Sequence, residues 1–338
     1  MEAEHFASVI VGRARDGEGL RRLLAGGIPD SETYLVKPNW YSPHPANFTD
    51  AKALGILLDA LDGHVVVVEG YSGDRHDGSL RLSSGGEKVD WRWLLRHPDW
   101  GWAREDGTWD EIRRQDGWFL DHHGFTDVIG AHDAEYINVT EEIWSGRAER
   151  PEEMRGLVES RYSPVQHEQA YGFMPSRLWR LRGSPLISLG RVKGYCGTYP
   201  SLTLKNLFGL VPDPFRSWWH GPKDRDLSRS IVDIAKLYLS AFTIYGICEA
   251  FSSYTVNDPR GEVKVPWGAY SVVKGDGFVA HGPSLVELDA VLCALIRVDP
   301  SAVGYIQLGE RELGPYDRGA VAEATAASAR WFPSHSKA

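Results

Sequence analysis

Cysteine is scarce in this 338-residue chain: the three, Cys196, Cys248 and Cys293, lie far apart and form no CxxC pair. Such a set cannot by itself ligate a zinc ion or an iron–sulfur cluster, and it fits a reducing compartment better than a disulfide framework. A basic excess is also missing. With 37 Lys and Arg against 46 Asp and Glu, the formal charge is −9, which argues against a general nucleic-acid partner, because phosphate binding needs clustered cations. Any cationic site must therefore be local. GxGxxG, Walker, HExxH and EF-hand spacings are absent, so no motif names a nucleotide or a metal. The start "MEAEHFASVIVGRA" lacks a basic region followed by a long apolar run, and the longest apolar stretch, around 237–251, is interrupted by Tyr, Thr, Ser and Gly. Neither a secretory signal nor a membrane span is expected, and the expected location is the cytoplasm.

What the chain does contain is ordinary globular composition, 42% hydrophobic and 25% charged, at a length sufficient for a large core. "SVIVGRA", "TYLVKPNW" and "HVVVVEG" are β-branched runs closed by turn residues, separated by the helical patterns "GEGLRRLLAGGI" and "TDAKALGILLDALDG", in which Thr49 is the expected N-cap. Strands with such continuous apolar character predict an α/β fold, a mostly parallel or mixed sheet with helices on both faces. Residues 71–118, crowded with Gly, Ser, Asp and six tryptophans, read as an insertion or lid. Further on, the pattern predicts a strand at "SPLISLGRVKGY", a short helix at "LTLKNLFG", a long helix from Ser228 to about Phe251, and a strand, turn and helix over 270–300. Cys248 and Cys293 are expected on apolar helix faces. The chain is read as one domain over 1–330, with two lobes, 1–145 and 171–330, as the alternative division, and 331–338 as a flexible tail.

Three stretches carry candidate chemistry. Lys37 and Asn39 follow an apolar strand, and in open α/β sheets the crevice beyond the carboxyl ends of strands binds ligands. Glu69 leaves another buried strand into a Gly-rich loop, where a partly desolvated carboxylate suits a general base or a metal ligand. The third, "GRVKGYCGTYPSLTLKNLFG", brings Lys193, Tyr195, Lys205 and Asn206 near a helix start that Ser201 or Thr203 can cap. Free N–H groups and two ammonium groups there would hold an anion. A metal bound by scattered residues such as Glu69, His132 and His220 is an open alternative.

These stretches resemble the family known as domain of unknown function 362. The resemblance rests on "VKPNW", "VVVVEG", "LISLGRVKGY", "LTLKNLFGLVPDP" with His220 shortly after, and "GPSLVELDAVLCALIRVDPSAVGYIQLGERELG", in that order. It implies an α/β fold and a pocket location more than a reaction. Members often carry ferredoxin-like cysteine clusters, which this chain lacks, so no iron–sulfur cluster is expected. Where the family reads lysine, small residue, histidine, this chain has Lys193, Gly194 and Tyr195; Asp289 matches the family's late motif.

The resulting expectation is an enzyme doing acid–base chemistry on a small anionic metabolite, of isomerase, lyase or cofactor-independent transferase type, within a specialised metabolic pathway. Lys193, Lys205, Glu69 and Tyr195 are the catalytic candidates, and Lys37, Asn39, Asn206, His220 and Asp289 the substrate-binding ones. Two alternatives stand beside it: a metal-dependent oxidoreductase or oxygenase using Glu69, His220 and Asp289, and a non-catalytic module for an anion or nucleotide. An oligomer is compatible with all three.

Overall fold

A computed structural model places residues 3–97, 100–105, 107–194, 200–266 and 268–333. The first strands are β1 (Glu4–Phe6), β2 (Val9–Arg13), β3 (Thr33–Lys37) and β4 (His64–Glu69), followed by a small hairpin of β5 (Ser83–Ser84) and β6 (Glu87–Lys88). Then come β7 (Glu135–Asn138), β8 (Leu186–Arg191), β9 (Ile244–Ala250), β10 (Ser253–Asn257), β11 (Val263–Val265), β12 (Gly268–Lys274) and β13 (Phe278–Gly282). The main sheet has eight strands in the order β1-β2-β13-β9-β8-β3-β4-β7. Strands β9, β8, β3, β4 and β7 run parallel, while β13, β2 and β1 add on antiparallel. The sheet draws strands from both halves of the chain.

Alternating side chains feed two cores. Val36, Val67, Ile187 and Ile247 face Leu20, Leu23, Leu54 and Leu57 of the helices Gly17–Leu24 and Ala51–Ala60. On the other face Leu35, Val66, Leu186 and Ile244 pack with Ile231, Leu288, Leu292 and Ile306 of the helices Leu227–Ala241, Leu285–Leu295 and Gly304–Glu312. The period of two along each strand therefore closes both layers.

Several expectations are corrected. The helix Ala51–Ala60 is capped by Asp50, whose side chain accepts from the Ala53 N–H at 2.8 Å, rather than by Thr49. The Thr49 hydroxyl instead accepts from the Asn39 N–H at 3.1 Å. The long helix stops at Ala241, and Ile244–Ala250 is strand β9, buried at every position between β8 and β13. A continuously apolar run fits a buried helix or a central strand equally well, so periodicity alone does not separate them. Cys248 accordingly lies in β9, not on a helix face.

The tail expected to be loose begins with Trp331 and Phe332, which are 5% and 1% exposed and pack on Phe278; residues 334–338 lie outside the described ones. The tryptophan-rich stretch sits in the crossover from β4 to β7. It packs around Tyr71, Ala103, Ile112 and Trp144, and around Val89, Trp93 and Leu94.

Candidate active site

The chain leaves β3 for β4 and β7 on one side, then returns through β8 and β9 on the other. The order in which strands are added thus reverses between the parallel neighbours β3 and β8, and a crevice opens beyond the carboxyl ends of strands at such a point. Lys37 ends β3, Glu69 ends β4, and Lys193 follows β8 by two residues. These three line one cavity together with Asn39, Lys205, Asn206 and His220. Its empty volume is about 520 Å³, including solvent at the mouth.

A continuous hydrogen-bond chain crosses the cavity floor. Lys193 Nζ donates to Asn39 Oδ1 at 2.8 Å, and Asn39 Nδ2 donates to Asn206 Oδ1 at 3.3 Å. The same Asn206 oxygen accepts from Lys37 Nζ at 3.3 Å, and Lys37 Nζ donates to Glu69 Oε2 at 2.8 Å. Asn206 Nδ2 is fixed by the Lys37 carbonyl and the Ser188 hydroxyl, at 2.9 and 3.1 Å. The two asparagines therefore set the spacing of the two lysines.

Burial governs the charges. Lys37 and Glu69 are each 1% exposed, so the pair is sustained by its own geometry and its amide neighbours rather than by water. Desolvation outweighs the attraction of Glu69 and brings the Lys37 amine down to about 8. Lys205 is likewise lowered to about 8 by burial, with Asp224 opposing the shift. Burial, then the neighbouring Lys205, Arg191 and Lys37 charges, push Lys193 well below the usual lysine range. A lysine amine is readily tuned in this way.

Glu69, expected to move a proton, has both oxygens engaged. Oε2 accepts from Lys37 and from the Trp40 N–H at 3.1 Å, and Oε1 from the Gly70 N–H at 3.0 Å. It serves as the counter-ion of Lys37. Gly209 explains how the pair fits: a Cβ there would lie 2.6 Å from both Glu69 Oε1 and Lys37 Nζ.

Asp289 is a second correction. It does not line the cavity; its buried carboxylate accepts from the Thr203 and Leu204 N–H groups, each at 2.9 Å, and from the Thr203 hydroxyl at 2.5 Å. The helix Thr203–Asn206 therefore has no side-chain cap from Ser201 or Thr203, and the N–H groups expected to hold a ligand are already taken. Burial raises Asp289 to about 7 in spite of these bonds. Removing Asp289 also dismantles the metal set of Glu69, His220 and Asp289. His132 bonds to the Val128 carbonyl and to Asp59, and does not line the cavity. Among the described residues no group of three His, Cys, Asp or Glu side chains could hold a metal ion. His220 stands at the cavity wall, its Nδ1 2.8 Å from Asp224 Oδ1. Tyr195 lies outside the described residues.

Arg216 escaped the sequence reading. It is 5% exposed, lines the same cavity, and donates to the Tyr71 and Gly209 carbonyls at 2.9 and 3.0 Å. Its backbone has φ +55, a conformation that non-glycine residues seldom adopt without a local reason. An arginine set between Phe215 and the two tryptophans Trp218 and Trp219 was the available signal.

Residues 115–294, just over half of the chain, match the family described as domain of unknown function DUF362. The chain belongs to that family. The matched span contains Lys193, Lys205, Asn206, Arg216 and Asp289, whereas Lys37, Asn39 and Glu69 precede it. Thylakoid-associated protein sll1697 from Synechocystis is 25% identical over 129 residues, 37% of this chain and 36% of that protein. The chain thus spans about a third of the length of this curated relative. No solved structure matches the chain. For this DUF362 member, the cavity rather than any relative has to carry the chemistry.

Proposed function

We propose that the protein is an enzyme that binds a small anionic metabolite and moves a proton next to the bound anion, as an isomerase or lyase does. One observation carries this reading: Lys37, Lys193, Lys205 and Arg216 share one buried cavity with a single carboxylate, Glu69, in a chain of net charge −9. Convergent cations in a crevice favour a carboxylate or phosphate, and favour still more the extra charge of an enolate-like transition state.

Lys193 is the preferred base. Nζ donates to Asn39 Oδ1 and to the Asn47 carbonyl, at 2.8 and 3.2 Å. A neutral amine that gives both protons to these acceptors keeps a lone pair for a substrate C–H. It would take that proton and become an ammonium ion, while Lys37, Lys205 and Arg216 stabilise the charge left on the substrate; returning the proton from the Lys193 ammonium to a different carbon of the delocalised anion completes an isomerisation. Asn39 and Asn206 orient the two lysines. In lyase chemistry the same carbanion would expel a β-substituent. We place this activity in the cytoplasm, a location supported by the unpaired, buried thiols of Cys248 and Cys293.

The test is proton–deuterium exchange at the carbon next to the carboxylate of bound organic acids, followed by NMR, in wild type and Lys193→Met. Exchange in wild type that disappears in Lys193→Met, with Lys37 and Glu69 intact, supports the reading. Binding without exchange in wild type would reduce the protein to an anion-binding module.

A further inference from the structure

We infer that the substrate is an amphipathic organic anion, whose charged head enters the lysine cavity and whose apolar body lies in an outer groove walled by the tryptophan-rich insertion. This inference rests on the proposed anion site and names the class of molecule that would fill it. The outer groove has an empty volume of about 1700 Å³ against about 520 Å³ inside. The two spaces share Tyr41, Arg216 and His220, so a molecule anchored by Arg216 can continue outward without leaving protein walls.

The groove walls come from the hairpin and first short helix of the insertion on one side and from the loop around Phe215 on the other. Leu80, Leu82, Trp91, Leu95 and Phe215 give it an apolar surface. Trp91 is 60% exposed and is the exposed large hydrophobic side chain among the described residues. Large apolar side chains left uncovered beside a cavity mark binding surfaces. The wall is also built to be close-fitting: a Cβ on Gly73 would lie 2.5 Å from the Phe215 ring, and Trp102 stacks on the same ring at 5.6 Å between centroids. Arg81, Lys88 and Lys223 outnumber Asp74 and Asp224 along the groove, which favours an anionic molecule over a cationic one.

The inference is tested by calorimetric titration of the full-length protein with straight-chain carboxylates from propanoate to decanoate, and with inorganic phosphate. Burial of each added methylene predicts affinity rising roughly fourfold per carbon until the groove is filled, with an increasingly negative heat-capacity change. Trp91→Ala and Leu80→Ser should flatten that rise and leave propanoate affinity unchanged; Trp91, being exposed, can be truncated without unfolding the core. If propanoate binds but wild-type affinity does not change with chain length, the groove is not a substrate site and the anion cavity stands. If neither the carboxylates nor phosphate bind, the parent proposal fails as well.

Discussion

The Asp289 carboxylate holds the N–H groups of both Thr203 and Leu204 at 2.9 Å, and so sets the position of Lys205 and Asn206 from a helix 86 residues further along the chain. The helix start that an anion would otherwise occupy is filled by the protein's own carboxylate. Lys205 and Asn206 are thereby presented to the cavity on a fixed scaffold.

Asp289→Ala should be strongly destabilising. It takes an acceptor from two buried N–H groups and from the Thr203 and Tyr305 hydroxyls, at a cost of about 2–5 kcal/mol, read as a fall in the denaturant midpoint. Asp289→Asn, which keeps one acceptor oxygen, should lose less stability but still weaken anion affinity by loosening Lys205 and Asn206. An Asn variant with wild-type affinity would show that the two residues do not depend on this anchor.

Lys205→Ala should weaken binding of a carboxylate or phosphate by about 10- to 100-fold, the value of a charge-assisted hydrogen bond, and Lys193→Ala should cost less, because its neutral amine adds no charge. Circular dichroism should remain that of the wild type. Unchanged calorimetric affinity in Lys205→Ala would mean that this lysine does not hold the ligand.

pH should move affinity and stability in opposite directions. Lys37 and Lys205 are lowered to about 8 in the folded protein, against about 10.4 in an unfolded chain. Above pH 8 the folded state therefore holds fewer protons than the unfolded state, and its stability rises with pH over this window. Deprotonation over the same range removes the positive charge that holds the anion. Urea midpoints and titrations between about pH 7.5 and 8.5, where unfolded cysteines are at most about half ionised and tyrosines remain protonated, should show stability climbing while affinity falls. Parallel trends would contradict the placement of these amines.

Gly209→Ala places a methyl group where Glu69 Oε1 and Lys37 Nζ are each 2.6 Å away. The pair must separate or the loop must shift, so we expect a loss of about 1–3 kcal/mol and a weaker anion site. A crystal structure of the variant with the Lys37–Glu69 contact still near 2.8 Å would refute this account of the glycine.

Much of the architecture was legible in order: β3, β4 and β8 stand where apolar runs end in Lys37, Glu69 and Arg191, because a buried strand must be apolar until it emerges. Composition likewise restricted any cationic site to a local patch. The sequence could not separate β9 from the preceding helix, since Leu237 to Phe251 is a mostly apolar run whose few polar residues follow no clear period. Nor could it reveal that Asp289 caps a distant helix, or that Arg216 joins the lysines. Those facts depend on contacts between residues far apart in the chain, and only the folded sheet, whose strand order switches between β3 and β8, brings Lys37, Lys193, Lys205 and Arg216 to one cavity.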